Sequence, residues 1–282
     1  MPEAPEVEAL TLFLRERLVG HRVQGVELLE FRAVKTPARP LDSLVGEVVK
    51  AVPRFGKHID VDLGSAHLSL GFGRAGWATW TDDAVEEAAS PGAGETPTAA
   101  VVARIAFDTG TLGITDAGEW LSVQLHIVDA PNDVAAVAKL GPDAIDPNFT
   151  RDALAHALGK RRKQLKALLQ EQESLAGIGN AYSDEILHAA RLSPVVHAAA
   201  LGPDDVTRLH AALRDVLGAA VLARRAVPIS EQKAAKVAAM QVHGRAGDVC
   251  PECGGTILDI PGTKGGGQYC PACQTGGVPP PE

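Results

Sequence analysis

Two Cys-x-x-Cys knuckles, Cys250-Pro251-Glu252-Cys253 and Cys270-Pro271-Ala272-Cys273, stand sixteen residues apart and hold all 4 cysteines of this 282-residue chain. In a reducing compartment paired knuckles read as a metal site rather than a disulfide framework. Four thiolates at this separation reach the corners of a tetrahedron with Zn–S bonds of about 2.3 Å, and the residues between them form a β-hairpin. Every corner is then filled by protein and none is left for substrate, so the expected ion is one structural zinc. A redox or vestigial pair of motifs is the competing reading. By itself such a hairpin serves binding to DNA, RNA or protein equally well.

The rest of the chain is long enough for two domains, and with 45% hydrophobic residues it can build a core without covalent staples. No apolar run approaches the ~20 residues of a membrane span, and Met1 to Glu8 lack the basic start and apolar centre of a signal peptide, so a cytoplasmic location with no membrane partner is expected. The net charge of −8 argues against a protein coated in nucleic acid over its whole surface. It leaves room for local basic clusters: Lys160, Arg161, Arg162, Lys163 and Lys166, then Arg224, Arg225, Lys233 and Lys236. Acidic residues gather elsewhere, at Asp82, Asp83, Glu86, Glu87 and Glu95.

Val7, Leu10, Leu14 and Leu18 recur at helical spacing, which predicts a helix over 6–18. Short β-branched or alternating segments at 23–29, 45–52, 59–63, 67–70, 101–107 and 121–128 predict a β-rich first domain, a sandwich with a helix at each end. The Gly- and Pro-bearing stretch 88–99 reads as a hairpin loop. Past a connection at 141–147 the period becomes helical, over 151–158, 163–171, 181–190 and 203–222, with Val206, Leu209, Leu213, Val216 and Leu217 on one face. The segment 226–239 reads as a loop.

Three further features can carry chemistry. Gly177-Ile178-Gly179-Asn180 falls between two helical segments, where exposed backbone amides and a helix N-terminus can seat a phosphate; equally, Asn180 can be an ordinary N-cap. Met1-Pro2-Glu3 invites removal of Met1, which leaves a secondary amine able to attack an aldehyde-like sugar carbon, with Glu3 beside it as an acid; many chains begin Met-Pro without any such use. Lys57 follows Gly56 at the start of a strand and can point into a groove, or be one more solvated lysine. Their joint occurrence, in this order and with the terminal knuckles, carries more weight than any one of them.

Taken together, these motifs make the chain similar to the Fpg/Nei family (formamidopyrimidine-DNA glycosylase / endonuclease VIII-like) of bifunctional DNA glycosylases. MPEAPEVE resembles the family's PELPEVE start, RFGKHI its glycine-lysine hairpin, and HLSL its His-Leu-x-Met segment. LAGIGNAYSDEIL resembles its helix–two-turns–helix signature, and QVHGR with the two knuckles its zinc finger. The resemblance implies an α+β fold: an N-terminal β-sandwich domain flanked by helices (1–135), a helical helix–two-turns–helix domain (141–240), a four-cysteine zinc-finger β-hairpin (241–277) and a tail (278–282). It implies base-excision repair of damaged double-stranded DNA with AP lyase activity, by a monomer without a small-molecule cofactor, nucleoid-associated when bound to DNA. Pro2 would attack C1′, expel the base and form a Schiff base. Glu3 would supply or relay the proton, Glu6 would order the site, and Lys57 would contact a phosphate and assist strand cleavage. His67, Lys166, Gly177, Gly179, Asn180 and His243 would hold the DNA backbone, and Cys250, Cys253, Cys270 and Cys273 the zinc.

Departures from the family pattern set the alternative. Gly265 stands where the family's zinc hairpin usually presents an arginine, and the neighbouring Lys264 would replace one phosphate contact, as a point charge rather than a bidentate fork. Leu70 occupies a usual methionine position, and 116–121 lacks an arginine. Trp120 or Phe72 would then act as the wedge in the base stack, against the competing reading of Trp120 as a core residue. A damage-recognition protein on the same scaffold, weak or inactive in catalysis, is the alternative function. The retained Pro2, Glu3 and Lys57 favour the enzyme.

Overall fold

The computed structural model describes residues 1–82, 99–261 and 266–278. Lys264, Gly265, Asp83, Glu86, Glu87, Glu95 and all but the last residue of the predicted 88–99 loop lie outside the described residues. The chain forms two compact units: Met1–Pro2 with Glu6–Ala138 and Pro228–Ser230, and Glu3–Pro5 with Lys139–Val227 and Glu231–Glu282.

The first unit takes in α1 (Ala4–Leu18) from Glu6 onward, and its stripe Val7, Leu10, Leu14 and Leu18 is wholly buried. Its described strands are β1 (Val23–Leu28), β2 (Arg54–Phe55), β3 (His58–Asp62), β4 (His67–Gly71), β5 (Gly76–Thr81), β6 (Ala100–Phe107), β7 (Gly110–Asp116) and β8 (Gln124–Val128), followed by a single turn of helix, α2 (Ala135–Ala138). They pair antiparallel into two four-stranded sheets, β1-β6-β7-β5 and β2-β3-β4-β8, which contribute to one hydrophobic core with α1. In the second sheet Ile59, Leu70 and Leu125 stand abreast, as do Val61, Leu68 and Ile127. The period of two sends His58, Asp60, His67, Ser69 and His126 to the opposite face.

Two expectations for this unit change. Residues 45–52 form no strand: the segment hydrogen-bonds in turn to residues at the start of β1 and the end of β3, through Val23 N to Glu47 O (2.9 Å) and Asp62 N to Ala51 O (2.9 Å), and so connects the sheets without joining either. β5 and β7 are two further strands that the apolar pattern does not mark: each opens on a glycine, Gly76 and Gly110, and Gly113 interrupts β7.

The second unit contains α3 (Arg151–Leu158), α4 (Leu165–Leu169), α5 (Asn180–Ala189), α6 (Pro203–Arg225), α7 (Gln232–Ala239), β9 (Leu258–Asp259), β10 (Gln268–Tyr269) and α8 (Pro271–Gln274). Thr150 caps α3 by accepting Ala153 N at 3.1 Å, and Pro203 opens α6, where its missing N–H is no loss. Leu209, Leu213 and Leu217 of α6 share a core with Leu165, Leu168, Leu169 and Ile186. The expected loop at 226–239 is instead largely α7, because Gln232-Lys-Ala-Ala-Lys-Val-Ala-Ala239 is built from helix formers with neither Gly nor Pro. β9 and β10 pair antiparallel between the knuckles, forming the expected hairpin. No helix among the described residues is long and apolar enough to cross a membrane.

Candidate active site

Glu3 is 1% exposed, and its carboxylate is held on several sides. Oε2 accepts the Gly179 N–H, Oε1 accepts the Ala181 N–H at 3.0 Å, and Lys236 Nζ lies 3.1 Å from Oε1. Ala4 N donates to Gly177 O at 2.9 Å, so the start of the chain is threaded along the Gly177–Asn180 turn. This arrangement explains the turn's composition. A Cβ on Gly179 would stand 2.6 Å from Glu3 Cδ, closer than any side chain tolerates. The N-cap of α5 is therefore Gly179, not Asn180, and the capping carboxylate comes from the far end of the sequence. Of the amides expected to seat a phosphate, Gly179 N is turned to Glu3, where the helix N-terminus favours the ionised form, and Gly177 N donates to Gln172 Oε1 at 3.0 Å. Asn180 keeps its side chain for other use, its Oδ1 accepting from Gln170 Nε2 at 3.0 Å.

Pro2, joined to Glu3 by one peptide bond, is half-buried in the first unit, and Glu6, in the first turn of α1, is 2% exposed. Lys57 sits on the two-residue turn between β2 and β3. Arg54 braces that turn, donating from Nη1 to Gly56 O at 2.6 Å and from Nε to Glu8 Oε2 on α1 at 2.7 Å, which ties the lysine hairpin to the helix that begins beside Pro2. His67 lies on the polar face of its sheet with Nδ1 2.7 Å from Asp60 Oδ2 and Nε2 3.9 Å from Asp62 Oδ1. Burial raises the Asp60 pKa, and the His67 hydrogen bond opposes it.

The wedge candidates separate by exposure. Phe72 is 2% exposed and packs against Trp77 with ring centroids 5.6 Å apart, whereas Trp120 is 80% exposed, contrary to its reading as a core residue. Asp116 shapes the loop that carries Trp120, accepting Gly118 N at 2.9 Å, Ser122 N at 2.7 Å and Val123 N at 3.0 Å. Burial alone would raise the Asp116 pKa, but these amides outweigh it and hold it below the usual value.

Lys166 is turned inward. It is 7% exposed, and its ammonium donates to Asn180 O at 3.2 Å, to Ser183 Oγ at 3.2 Å and to Asp184 Oδ1. In this structure its three protons are engaged inside the protein. Burial lowers its pKa, while Asp184 acts in the other direction. The other oxygen of Asp184 accepts from His243 Nδ1 at 2.7 Å and from Gln268 N at 3.1 Å, so this buried carboxylate joins α4, α5 and the zinc hairpin. Gly267 permits the approach, since a Cβ there would stand 2.6 Å from Asp184 Oδ1. Within the Lys160–Lys166 cluster, Arg161 and Lys163 are drawn onto Glu171 at 2.6 and 2.8 Å, chiefly through the Arg161 bond, which pulls its pKa to about 2.

Cys250, Cys253, Cys270 and Cys273 place their Sγ atoms within 4.8 Å of one another, with 3.9 Å between Cys250 and Cys273 and 3.4 Å between Cys253 and Cys270. A tetrahedral ZnS₄ centre has sulfur–sulfur edges of about 3.8 Å, so the donor set and its spacing fit that ion. Gly255 N, 3.4 Å from Cys253 Sγ, is the main cause of a Cys253 pKa lowered to about 7. His188 Nε2 lies 3.3 Å from Cys250 Sγ, an outer contact of the kind that orients metal ligands.

Lys236, Asp184 and Asp116 were missed as site residues. For Lys236 the signal was present in the four-residue spacing of Gln232 and Lys236, both buried; for the two aspartates, whose bonds are to distant backbone, the sequence carries none.

Known proteins share both the sequence and the fold. Residues 1–118 match the formamidopyrimidine-DNA glycosylase N-terminal domain and residues 140–230 the formamidopyrimidine-DNA glycosylase H2TH domain. The formamidopyrimidine-DNA glycosylase of Symbiobacterium thermophilum is 33% identical over 282 residues, spanning 97% of this chain and 89% of that protein. An uncharacterized formamidopyrimidine-DNA glycosylase-like protein of Mycobacterium tuberculosis is 42% identical over 138 residues, 49% of this chain and 86% of that one. Among solved structures, the Lactococcus lactis formamidopyrimidine-DNA glycosylase, non-covalently bound to DNA containing an AP site, superposes with a TM-score of 0.80 at 24% identity over 97% of this chain and 99% of that one, a likeness of fold. With sequence identity extending over nearly its whole length, this chain belongs to the formamidopyrimidine-DNA glycosylase family.

Proposed function

We propose that this protein is a base-excision DNA glycosylase with AP lyase activity, acting on damaged bases in duplex DNA through the N-terminal amine of Pro2. The observation that carries the reading is the burial of Glu3 against the Gly177–Asn180 turn. It gives the residue next to the nucleophile a fixed carboxylate at a helix N-terminus, an expensive arrangement for a chain end with no chemistry to perform. Once Met1 is removed, the Pro2 amine bonds to C1′ of a nucleotide flipped out of the duplex, the base leaves, and an iminium ion forms. Lys57, on its braced hairpin, contacts a flanking phosphate and assists the elimination that cuts the strand, while Glu6 helps order the site. His67, Asn180, Gly177, Gly179, His243 and Lys264 remain the candidate DNA contacts, with Gly177 and Gly179 acting through the turn's shape. Trp120, exposed on its Asp116-bound loop, is the candidate wedge. One structural zinc on the four cysteines holds the hairpin in shape.

Borohydride reduction with DNA containing an abasic site tests the reading: the chain freed of Met1 is expected to give a covalent adduct, and Pro2→Gly to lose most of it. No adduct from the wild type, with removal of Met1 verified by mass spectrometry, would leave the non-cutting damage binder as the function.

A further inference from the structure

The buried face of α7 carries a charge that the reading above does not use. Gln232 and Lys236 stand four residues apart on one face of the helix, at 1% and 9% exposure. Gln232 Nε2 donates to Arg224 O at 2.8 Å and Val227 O at 2.9 Å, fastening the first turn of α7 to the end of α6 and fixing the rotation of the helix. The next turn then delivers Lys236 Nζ to 3.1 Å from Glu3 Oε1 and 4.7 Å from the centroid of the Tyr182 ring. Packing alone does not call for this lysine. An apolar side chain would cover Tyr182 without taking an ammonium and a carboxylate out of water, and buried ion pairs seldom repay that desolvation in stability.

Several groups of positive character face Glu3. α5 contributes the amides of Gly179 and Ala181 at its N-terminal end, α7 contributes Lys236, and α4 contributes Lys166, which interacts electrostatically with Glu3. Along α1 the nearest acidic residue in sequence is Glu6, three positions on.

We propose that Lys236 is a positioning residue of the glycosylase reaction, holding Glu3 as a carboxylate so that in the resting protein Glu3 accepts a proton rather than donating one. The proposal rests on the reading of Pro2 as nucleophile and assigns the proton path. As the Pro2 nitrogen bonds to C1′, the C1′–base bond breaks; the base leaves with that electron pair and takes a proton from water. The proton on the attacking nitrogen passes to Glu3. The freed nitrogen lone pair then breaks the C1′–O4′ bond to give the iminium ion, and Glu3 returns its proton to O4′. A Glu3 that is already protonated cannot take the first of these protons, so excision fails on the acid side, and Lys236 sets how low the pH must fall before that happens.

The test compares the full chain with Lys236→Met and Lys236→Arg, using the ¹³C titration of the Glu3 carboxyl and single-turnover excision at pH 5 and pH 7.5. Removing an opposite charge at this distance is expected to move the Glu3 titration up by about one pH unit or more. The ratio of the pH 5 rate to the pH 7.5 rate is expected to fall with it, about twofold where the titration reaches pH 5 and more where it passes that point, and Lys236→Arg to restore both. A Glu3 titration in Lys236→Met that matches the wild type, in a variant with a native far-ultraviolet spectrum, would overturn the proposal. If Lys236→Met does not fold, Lys236→Gln removes the charge while keeping a donor, and the same two outcomes decide. A wild type that neither excises nor traps would defeat the nucleophile reading and with it the proton path, whereas an unmoved Glu3 titration in an active enzyme defeats the role of Lys236 alone.

Discussion

Replacing Lys166 with methionine separates a residue that holds the fold from one that holds DNA, because the substitution keeps the volume of the stem and removes the charge. The Lys166 side chain is 9% exposed and that of its partner Asp184 is 0% exposed. Breaking a buried pair by deleting one member typically costs about 3–5 kcal/mol, since the remaining charge is left uncompensated. Asp184 retains His243 Nδ1 at 2.7 Å and Gln268 N at 3.1 Å, which places the expected loss at the lower end, about 3 kcal/mol. With a urea m-value of about 2 kcal/mol/M, the unfolding midpoint should fall by about 1.5 M. Far-ultraviolet circular dichroism is the suitable probe, because the long helices α5 and α6 belong to the affected unit. DNA affinity measured across salt concentrations supplies the contrast. Were Lys166 a phosphate contact, stability would move by less than about 0.5 kcal/mol and the slope of log K against log salt would become shallower by about 0.9. That pair of results would refute the buried-pair reasoning.

His58, half-buried near His126 and Lys57, has its pKa lowered to about 4, chiefly by the desolvation of its ring. The unfolded chain therefore binds a proton between about pH 6.5 and 4 that the folded chain refuses; stability rises with pH through that window, by about 3 kcal/mol from this group. Urea midpoints at pH 7 and pH 4.5, followed by the fluorescence of Trp77, Trp80 and Trp120, should show the slope, and His58→Gln should flatten it. Trp120→Ala should leave stability within about 0.5 kcal/mol, yet lower affinity for a lesion-bearing duplex roughly tenfold, as anisotropy would report; equal affinity would remove Trp120 as the wedge. Metal analysis should find one zinc per chain, and chelation should unfold the hairpin and weaken DNA binding; unchanged affinity after verified loss of zinc would count against its role.

What the sequence determined by itself is whatever rests on local repetition. The Val7, Leu10, Leu14, Leu18 stripe announced α1 because a period near 3.6 needs no distant partner to be recognised. The Cys250–Cys273 module was legible for a similar reason: ligand spacing encodes the chemistry. The motifs around Pro2, Lys57 and Asn180 pointed to the family, but not to what their atoms touch. Tertiary structure alone decided which charges are available. Lys166 read as basic surface and is spent on Asp184 eighteen residues away; Trp120 read as core and stands in solvent. The Gly179 amide read as a phosphate seat and holds Glu3, 176 residues earlier, while Lys236 meets that same carboxylate from 233 residues away. Periodicity records which side of an element is apolar. The partner of a buried charge is chosen by packing between remote segments, and nothing in the local pattern names it.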